Sequence, residues 1–293
     1  MKIFNLSLSV LFFLSSLCTE IHAVAQTNSD SPRKISFIHD GDLLQGWFYN
    51  ADGEGPFPTI ILLHGSVGRD GDIFNFGRNL TKEGFNVMTY NYPGSWRSEG
   101  LRTDRAALES VTSALDYMRS EPTIQDFKID TSKFIIVGHS YGGGMALVAA
   151  ALNPCIENVI SIAGADLYET ANELEQNPDR RQNFEQQCDR LLMNPSMIRS
   201  TSGKEYVETM LADRERYNTV KYAKILAQKD IFLLVGWDDR MKPMEKYSLP
   251  FYRALQSNGA KNIKIMAFET GHEFYNVGDE MTKAIIDWLQ KEN

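Results

Sequence analysis

Ser140 has the clearest setting for nucleophilic chemistry in this chain. It is the central residue of Gly138–Gly142, which reads Gly-His-Ser-Tyr-Gly and lies between the apolar runs 133–137 and 143–152. The first run is short and β-branched and predicts a buried strand, whereas the second is rich in Ala and predicts a buried helix. A turn this sharp favours glycine, which has no side chain to clash. The serine hydroxyl then lies exposed beside a helix N-terminus, whose free N–H groups stabilise negative charge.

The segment alone leaves two other interpretations open, a phosphate-binding turn and a structural turn with an idle serine. A nucleophilic serine also needs a base and an acid that orients the base. Of the histidines, His272 is the one correctly placed downstream of Ser140, on a loop after the strand-like run 263–268. His139 neighbours the serine, but consecutive side chains on a tight turn diverge. The other histidines are His22, His39 and His64.

The acid should follow another strand between Ser140 and His272. The apolar run 231–235 leads into Asp238 and Asp239, and an imidazole is a fitting partner for a buried carboxylate. One carboxylate could instead cap a helix while the other lies on the surface. Asp166, which follows the predicted sixth strand, is a reserve candidate.

Four segments together resemble the α/β-hydrolase superfamily, nearest in style to dienelactone-hydrolase-like and prolyl-oligopeptidase-like serine esterases and peptidases. The second segment departs from the family pattern, with Pro93 where arginine is usual. In the fourth, the spacing Gly-x-x-Asp-x-x-x-Pro favours Asp239 over Asp238. The order Ser140, Asp239, His272 is that of the superfamily. The four segments are Leu62–Ser66, Tyr92–Gly100, Gly138–Gly142 and Gly236–Pro243.

The resemblance implies an α/β-hydrolase fold with a helical cap formed by the insertion at about 165–229. It implies a serine hydrolase, carboxylesterase-like, that needs no cofactor or metal and acts on a small-molecule acyl substrate. Backbone N–H groups of Ser66 and Tyr141 would form the oxyanion hole, and His64 would brace the turn that carries Ser66.

Two alternatives stay open. A serine peptidase or aminopeptidase of the same fold could hold a substrate ammonium with Asp166, Glu169 and Glu173, although plain surface charge explains these residues equally well. A non-catalytic binding protein could also use a hydrolase scaffold, because a fold does not determine a function. The presence of a serine, a histidine and an aspartate in the required order argues against that alternative.

Hydrophobic patterning predicts eight strands and an alternation of strand with helix that is typical of a mostly parallel sheet covered by helices on both faces. The first two strands are expected to form an antiparallel edge hairpin. The predicted strands are 34–39, 43–49, 59–63, 85–90, 133–137, 157–162, 231–235 and 262–268. The predicted helices are 72–83, 104–119, 141–152, 244–258 and 280–290, with 179–193, 204–213 and 216–227 in the insertion.

Composition and the N-terminus bear on location and partners. The net charge of −8 makes nucleic acid an unsuitable partner. The sequence leaves the oligomeric state open. Residues 1–25 combine a basic start, an apolar middle and an Ala-x-Ala end, which predict a signal peptide and an exported protein, periplasmic or secreted. No stable membrane insertion is expected after its removal. Cys155 and Cys188 are expected to lie too far apart for a disulfide.

Overall fold

The computed structural model describes residues 31–291, which form one eight-stranded sheet flanked by helices. The predicted signal peptide, 1–25, lies outside the described residues. The strands are β1 (Arg33–His39), β2 (Asp42–Tyr49), β3 (Phe57–Leu63), β4 (Asn86–Tyr90), β5 (Ile129–His139), β6 (Ile156–Ile162), β7 (Asp230–Gly236) and β8 (Ile263–Phe268). Their order across the sheet is β1-β2-β4-β3-β5-β6-β7-β8.

All strands from β4 to β8 in that order pair in parallel, so their carboxyl ends meet at one edge. β1 and β2 form the predicted antiparallel hairpin, and β2 continues antiparallel onto β4. The sequence prediction of a mostly parallel eight-stranded sheet is therefore confirmed. In such sheets ligands bind beyond the carboxyl ends of the strands.

Ten α-helices are present within residues 31–291. They are α1 (Phe76–Thr81), α2 (Asp104–Arg119), α3 (Glu121–Phe127), α4 (Tyr141–Leu152), α5 (Leu167–Gln176), α6 (Pro178–Leu192), α7 (Gly203–Asp213), α8 (Ala223–Leu226), α9 (Met244–Ser257) and α10 (Gly278–Lys291). None of the helices in the described range is both long and apolar enough to cross a membrane.

Helices cover both faces of the sheet because alternate residues of each strand point to opposite faces. On one face, Ile61 and Leu63 of β3 belong to the cluster that includes residues of α2, α4, α8 and α9. On the other face, Ile60 and Leu62 belong to the cluster with α1 and α10. The strands of the parallel part are thus buried on both sides, which explains their continuous apolar runs.

The insertion at 165–229 forms a small helical layer with its own core of Ala171, Leu174, Val207 and Met210. Backbone hydrogen bonds fasten it to the loop that follows β4. The N–H of Arg199 donates to the carbonyl of Gly94 at 2.7 Å, and the N–H of Arg102 donates to the carbonyl of Arg199 at 2.7 Å. The layer is therefore held at the edge of the sheet where the parallel strands end.

Three helical predictions differ from the structure. Neither α3 nor α5 was predicted. Asp166 directly precedes α5, and its side chain caps the helix by accepting the N–H of Glu169. The predicted helix 216–227 is broken into 3-10 turns at Arg214–Tyr217 and Val220–Tyr222 followed by α8. The hydroxyl of Thr219 in this stretch donates to Asp166 at 2.6 Å, a tertiary contact that periodicity cannot reveal.

Candidate active site

Ser140 lies at the junction of β5 and α4, with φ 55° and ψ −116°. A positive φ is rare for a residue with a side chain and is a form of strain that recurs at functional sites. The neighbouring glycines permit the turn. A Cβ atom on Gly138 would overlap the carbonyl of Gly142, and one on Gly142 would overlap the carbonyls that end β3.

A continuous chain of side-chain hydrogen bonds joins Ser140, His272 and Asp239. The serine Oγ lies 2.8 Å from Nε2 of His272, and Nδ1 of His272 lies 2.8 Å from Oδ2 of Asp239. With the carboxylate ionised, Nδ1 donates to Asp239 and Nε2 accepts the serine hydroxyl proton. Both His272 and Asp239 are buried, at 8% and 4% exposure, so water does not compete for these bonds.

The loop after β7 brings Asp239, and not its neighbour, to the histidine. Oδ1 of Asp239 accepts the N–H groups of Met241 and Lys242 at 2.9 and 2.8 Å. Burial opposes ionisation of this carboxyl, but the bonds from His272 and from these two N–H groups outweigh it and hold its pKa below the ordinary value. Asp238 is exposed, and Asp166 caps α5 instead of approaching the imidazole.

His139 supports the loop that carries His272, a contact that sequence reasoning missed. Its Nε2–H donates to the backbone carbonyl of His272 at 2.9 Å, and the two rings lie 5.3 Å apart. Burial lowers the pKa of His139, so the ring stays neutral. The side chain does diverge from Ser140, as expected, and its partner could not be found from spacing because it lies far away in sequence.

The loop after β3 passes directly beside Ser140. A Cβ atom on Gly65 would lie 3.7 Å from the serine Cβ, and Ser66 lines the same cavity as Ser140. Tyr141 is the first residue of α4, where backbone N–H groups have no acceptor within the helix. The N–H groups of both residues are thus on elements that adjoin the serine.

His64 lies buried beneath that loop and bonds to it. Its Nδ1–H donates to the carbonyl of Gly65 at 2.7 Å, and its ring packs on Tyr92 at 4.3 Å. Within residues 31–291, its Nε2 has no hydrogen-bond partner. Burial, reinforced by the charge of Arg102, lowers the pKa of His64 from 6.5 to about 3.

His64 should make the free energy of unfolding fall in acid. The unfolded chain takes up a proton on this ring below pH 6.5 while the folded protein does not, so each pH unit below that value costs about 1.4 kcal/mol. The loss should continue down to pH near 3, where the folded ring also protonates. His64→Gln, which keeps an N–H donor, should remove this part of the slope. Urea unfolding at pH 7, 6 and 5 measures how the free energy of unfolding changes with pH. Equal changes in the native protein and in His64→Gln would contradict a lowered pKa for His64.

A cavity of about 360 Å³ opens above Ser140 and His272. Its walls include Phe74 and Met241, and the insertion contributes Gln187 and Leu191 of α6. Two residues from the insertion therefore border the space in front of the serine. Within the part of the chain that the structure describes, no group of three His, Cys, Asp or Glu side chains could hold a metal ion.

The acidic residues considered for binding a substrate amine are already paired. Glu173 forms ion pairs with Lys246 and with Arg180, the latter at 2.6 Å, and Glu169 lies 3.4 Å from Lys246. None of the three acids lines the Ser140 cavity; the carboxylate that does is the exposed Glu273. The expectation that Asp166, Glu169 and Glu173 could receive an ammonium group therefore loses its basis.

Cys155 and Cys188 are free cysteines.

Residues 58–278 match the family model described as alpha/beta hydrolase fold, a span that covers most of the chain. The chain belongs to the α/β-hydrolase family. The resemblance noted from four sequence segments is thereby confirmed, and so is the fold class.

The curated relatives that the chain matches are distant. The uncharacterized protein YfhR of Salmonella typhimurium is 29% identical over 120 residues, which are 40% of this chain and 39% of that protein. The chain therefore spans about two fifths of the length of this curated relative. A match over these 120 residues does not show that the two proteins share an activity.

Two solved structures share the fold. The esterase of Pyrococcus furiosus has a TM-score of 0.64 and 15% identity, covering 90% of this chain and 92% of its own. The acylaminoacyl peptidase of Pyrococcus horikoshii has a TM-score of 0.64 and 19% identity, covering 89% of this chain and 41% of its own. At these identities the likeness shows the fold alone.

Proposed function

We propose that this α/β-hydrolase is a serine hydrolase that cleaves carboxylic esters through an acyl-enzyme. One observation carries the proposal, the continuous hydrogen-bond chain from Ser140 through His272 to Asp239 at the floor of an open cavity. This is the arrangement in which a weak hydroxyl nucleophile is activated by an oriented base.

In the proposed mechanism, Ser140 attacks the ester carbonyl while Nε2 of His272 takes the hydroxyl proton. Asp239 holds the imidazole in the required tautomer and stabilises its charged form. The oxyanion is held by the N–H groups of Ser66 and Tyr141. His272 returns the proton to the departing alcohol, and water then cleaves the acyl-enzyme by the same steps in reverse. The chemistry requires no cofactor.

Esters are preferred to aminoacyl peptides because the cavity offers no dedicated amine site. Glu169 and Glu173 are paired with Lys246, and the exposed Glu273 would contribute little to an ammonium ion in water. An aminopeptidase would instead need a desolvated carboxylate aimed at the substrate amine.

We expect p-nitrophenyl butyrate to be hydrolysed rapidly, while alanine p-nitroanilide and its N-acetylated form are cleaved slowly or not at all. The comparison measures kcat/KM for the three substrates with the same enzyme preparation. Strong preference for the free-amine anilide, lost in Glu273→Gln, would replace the esterase proposal with an aminopeptidase.

We further propose that the protein is exported and acts in the periplasm or outside the cell. The proposal rests on the signal-peptide pattern of residues 1–25. The N-terminal sequence of the protein recovered from a native extract tests it, and cleavage after Ala25 is the expected result. Recovery of the intact N-terminus from the cytoplasm would contradict it.

A further inference from the structure

A second, smaller cavity of about 80 Å³ adjoins the one above Ser140 and shares Ser66, Gln187 and Leu191 with it. It lies between the helical insertion and the loop after β4. Leu191 and Ile198 are among its apolar walls, and Arg102, Ser200, Thr201 and Tyr206 are among its polar ones. A substrate bound at Ser140 could therefore extend past Ser66 into a chamber that has both apolar walls and a cation.

Arg102 is an unusual wall residue because its charge is buried and, within residues 31–291, has no ion-pair partner. The side chain is 3% exposed, and its Nη1 donates to Ser95 Oγ at 3.1 Å. Among residues 31–291 its Nε has no hydrogen-bond partner. The guanidinium stacks on Tyr92 and Tyr141, with its Cζ atom 4.7 and 4.4 Å from the ring centres.

The neighbouring acid Asp104 does not bond directly to Arg102. Asp104 forms no ion pair with Arg102, and its Oδ1 accepts the hydroxyls of Tyr141 and Tyr206 at 2.8 and 2.5 Å. Burial raises the pKa of Asp104, and the charge of Arg102 opposes this rise, so the carboxyl and the guanidinium attract each other without a direct bond. A buried cation is costly unless an anion accompanies it.

The other polar groups of the chamber include both engaged and available donors, and Ser66 and Gln187 also line it. Tyr206 gives its hydroxyl to Asp104, and Ser200 gives its hydroxyl to the carbonyl of Arg102. The hydroxyl of Thr201 has no partner within the described residues, and it lines the same chamber. A guanidinium and a hydroxyl among the walls of a partly apolar chamber match a carboxylate on a short apolar chain.

We propose that this chamber binds a carboxylate carried by the ester substrate, with Arg102 and Thr201 as the groups that recognise it. The inference rests on the proposed ester hydrolysis, and it narrows the substrate class to esters that bear an anion on the acyl or the alcohol part. The competing explanation is that the two aromatic rings and Asp104 satisfy Arg102 as a purely structural residue.

Two substrate pairs test the proposal. The two esters of each pair differ only in a terminal carboxylate, and the pairs distinguish a carboxylate on the acyl part from one on the alcohol part. Mono-p-nitrophenyl adipate is compared with p-nitrophenyl hexanoate for the acyl part, and 5-acetoxypentanoate is compared with pentyl acetate for the alcohol part. In one pair, kcat/KM for the charged ester should exceed that of the neutral ester by about tenfold or more, because bonds to charged groups discriminate strongly.

Variants then assign that preference to the chamber. Arg102→Gln should bring the charged-to-neutral ratio down to one or below, and Thr201→Val should lower it about fivefold. Arg69→Gln is the matched control, because Arg69 is an exposed cation in the Ser140 cavity, and it should lower the ratio less than Arg102→Gln does. The ratio within one preparation is independent of the fraction of folded enzyme, and Thr201→Val lies outside the buried network if Arg102→Gln fails to fold.

Hydrolysis of neutral esters without preference for the charged partner in either pair would overturn this inference and leave the esterase proposal standing. A preference that survives both Arg102→Gln and Thr201→Val, or one that Arg69→Gln removes, would overturn it as well. A protein that cleaves none of the four esters would instead refute the proposed function.

Discussion

Replacing Ser140 with alanine should reduce ester hydrolysis by about 10⁶-fold, which is the scale of loss when the nucleophile of such a triad is removed. The fold should persist, because the glycines at 138 and 142 permit the sharp turn and the hydroxyl does not. Alanine also keeps the Cβ atom, so the strained backbone at φ 55° is no more costly than in the native protein. The rate with p-nitrophenyl butyrate and the thermal unfolding temperature measure the two parts of this expectation.

Ser132→Ala is the matched control for that experiment. Ser132 is an exposed residue toward the opposite end of the same strand, where its hydroxyl donates to Asp130 at 2.6 Å. Its replacement should leave the hydrolysis rate unchanged. Residual activity of Ser140→Ala within tenfold of the native rate would contradict the role assigned to Ser140.

Replacing Asp239 with asparagine should lower kcat by about 10⁴-fold while preserving the volume of the side chain. An asparagine amide next to Nδ1 favours the imidazole tautomer with its proton on Nε2, which then cannot accept the proton of Ser140. The neutral amide also gives no stabilisation to the charged imidazole. The measurement is kcat for p-nitrophenyl butyrate at neutral pH.

Asp238→Asn provides the comparison, because it changes the same chemical group one position away. Asp238 is exposed, and the bond it makes across the loop is from its backbone N–H to the carbonyl of Thr270. Its replacement should therefore change kcat by less than threefold, within the range of ordinary surface substitutions. Equal losses of kcat in Asp239→Asn and Asp238→Asn would contradict the assignment of Asp239, and not Asp238, as the acid.

The local hydrophobic pattern of the sequence was sufficient to predict the sheet of this protein. The apolar runs of β3, β5, β6 and β7 are buried on both faces, so each appears as an unbroken hydrophobic segment. The candidate residues could be selected because each follows such a strand, and the carboxyl ends of parallel strands meet at one edge of a sheet. The parallel topology of the sheet is therefore what brings Ser140, Asp239 and His272 together.

Long-range side-chain contacts could not be predicted in the same way. Asp166 follows a strand as a catalytic acid would, yet it caps α5 and accepts the hydroxyl of Thr219. His139 and Arg102 act on residues distant in sequence, through a carbonyl of the His272 loop and through stacking on Tyr141. Neither helical periodicity nor residue spacing carries information about such partners.

Labelling with a fluorophosphonate, followed by mass spectrometry of the digested protein, tests the central proposal most directly. This reagent forms a covalent bond with a serine only when the hydroxyl is activated, so it reports the chemistry that the chain from Ser140 to Asp239 is proposed to perform. We expect one adduct, located on Ser140 and absent from Ser140→Ala. An unlabelled native protein, or an adduct that persists in Ser140→Ala, would contradict the assignment of Ser140 as the nucleophile.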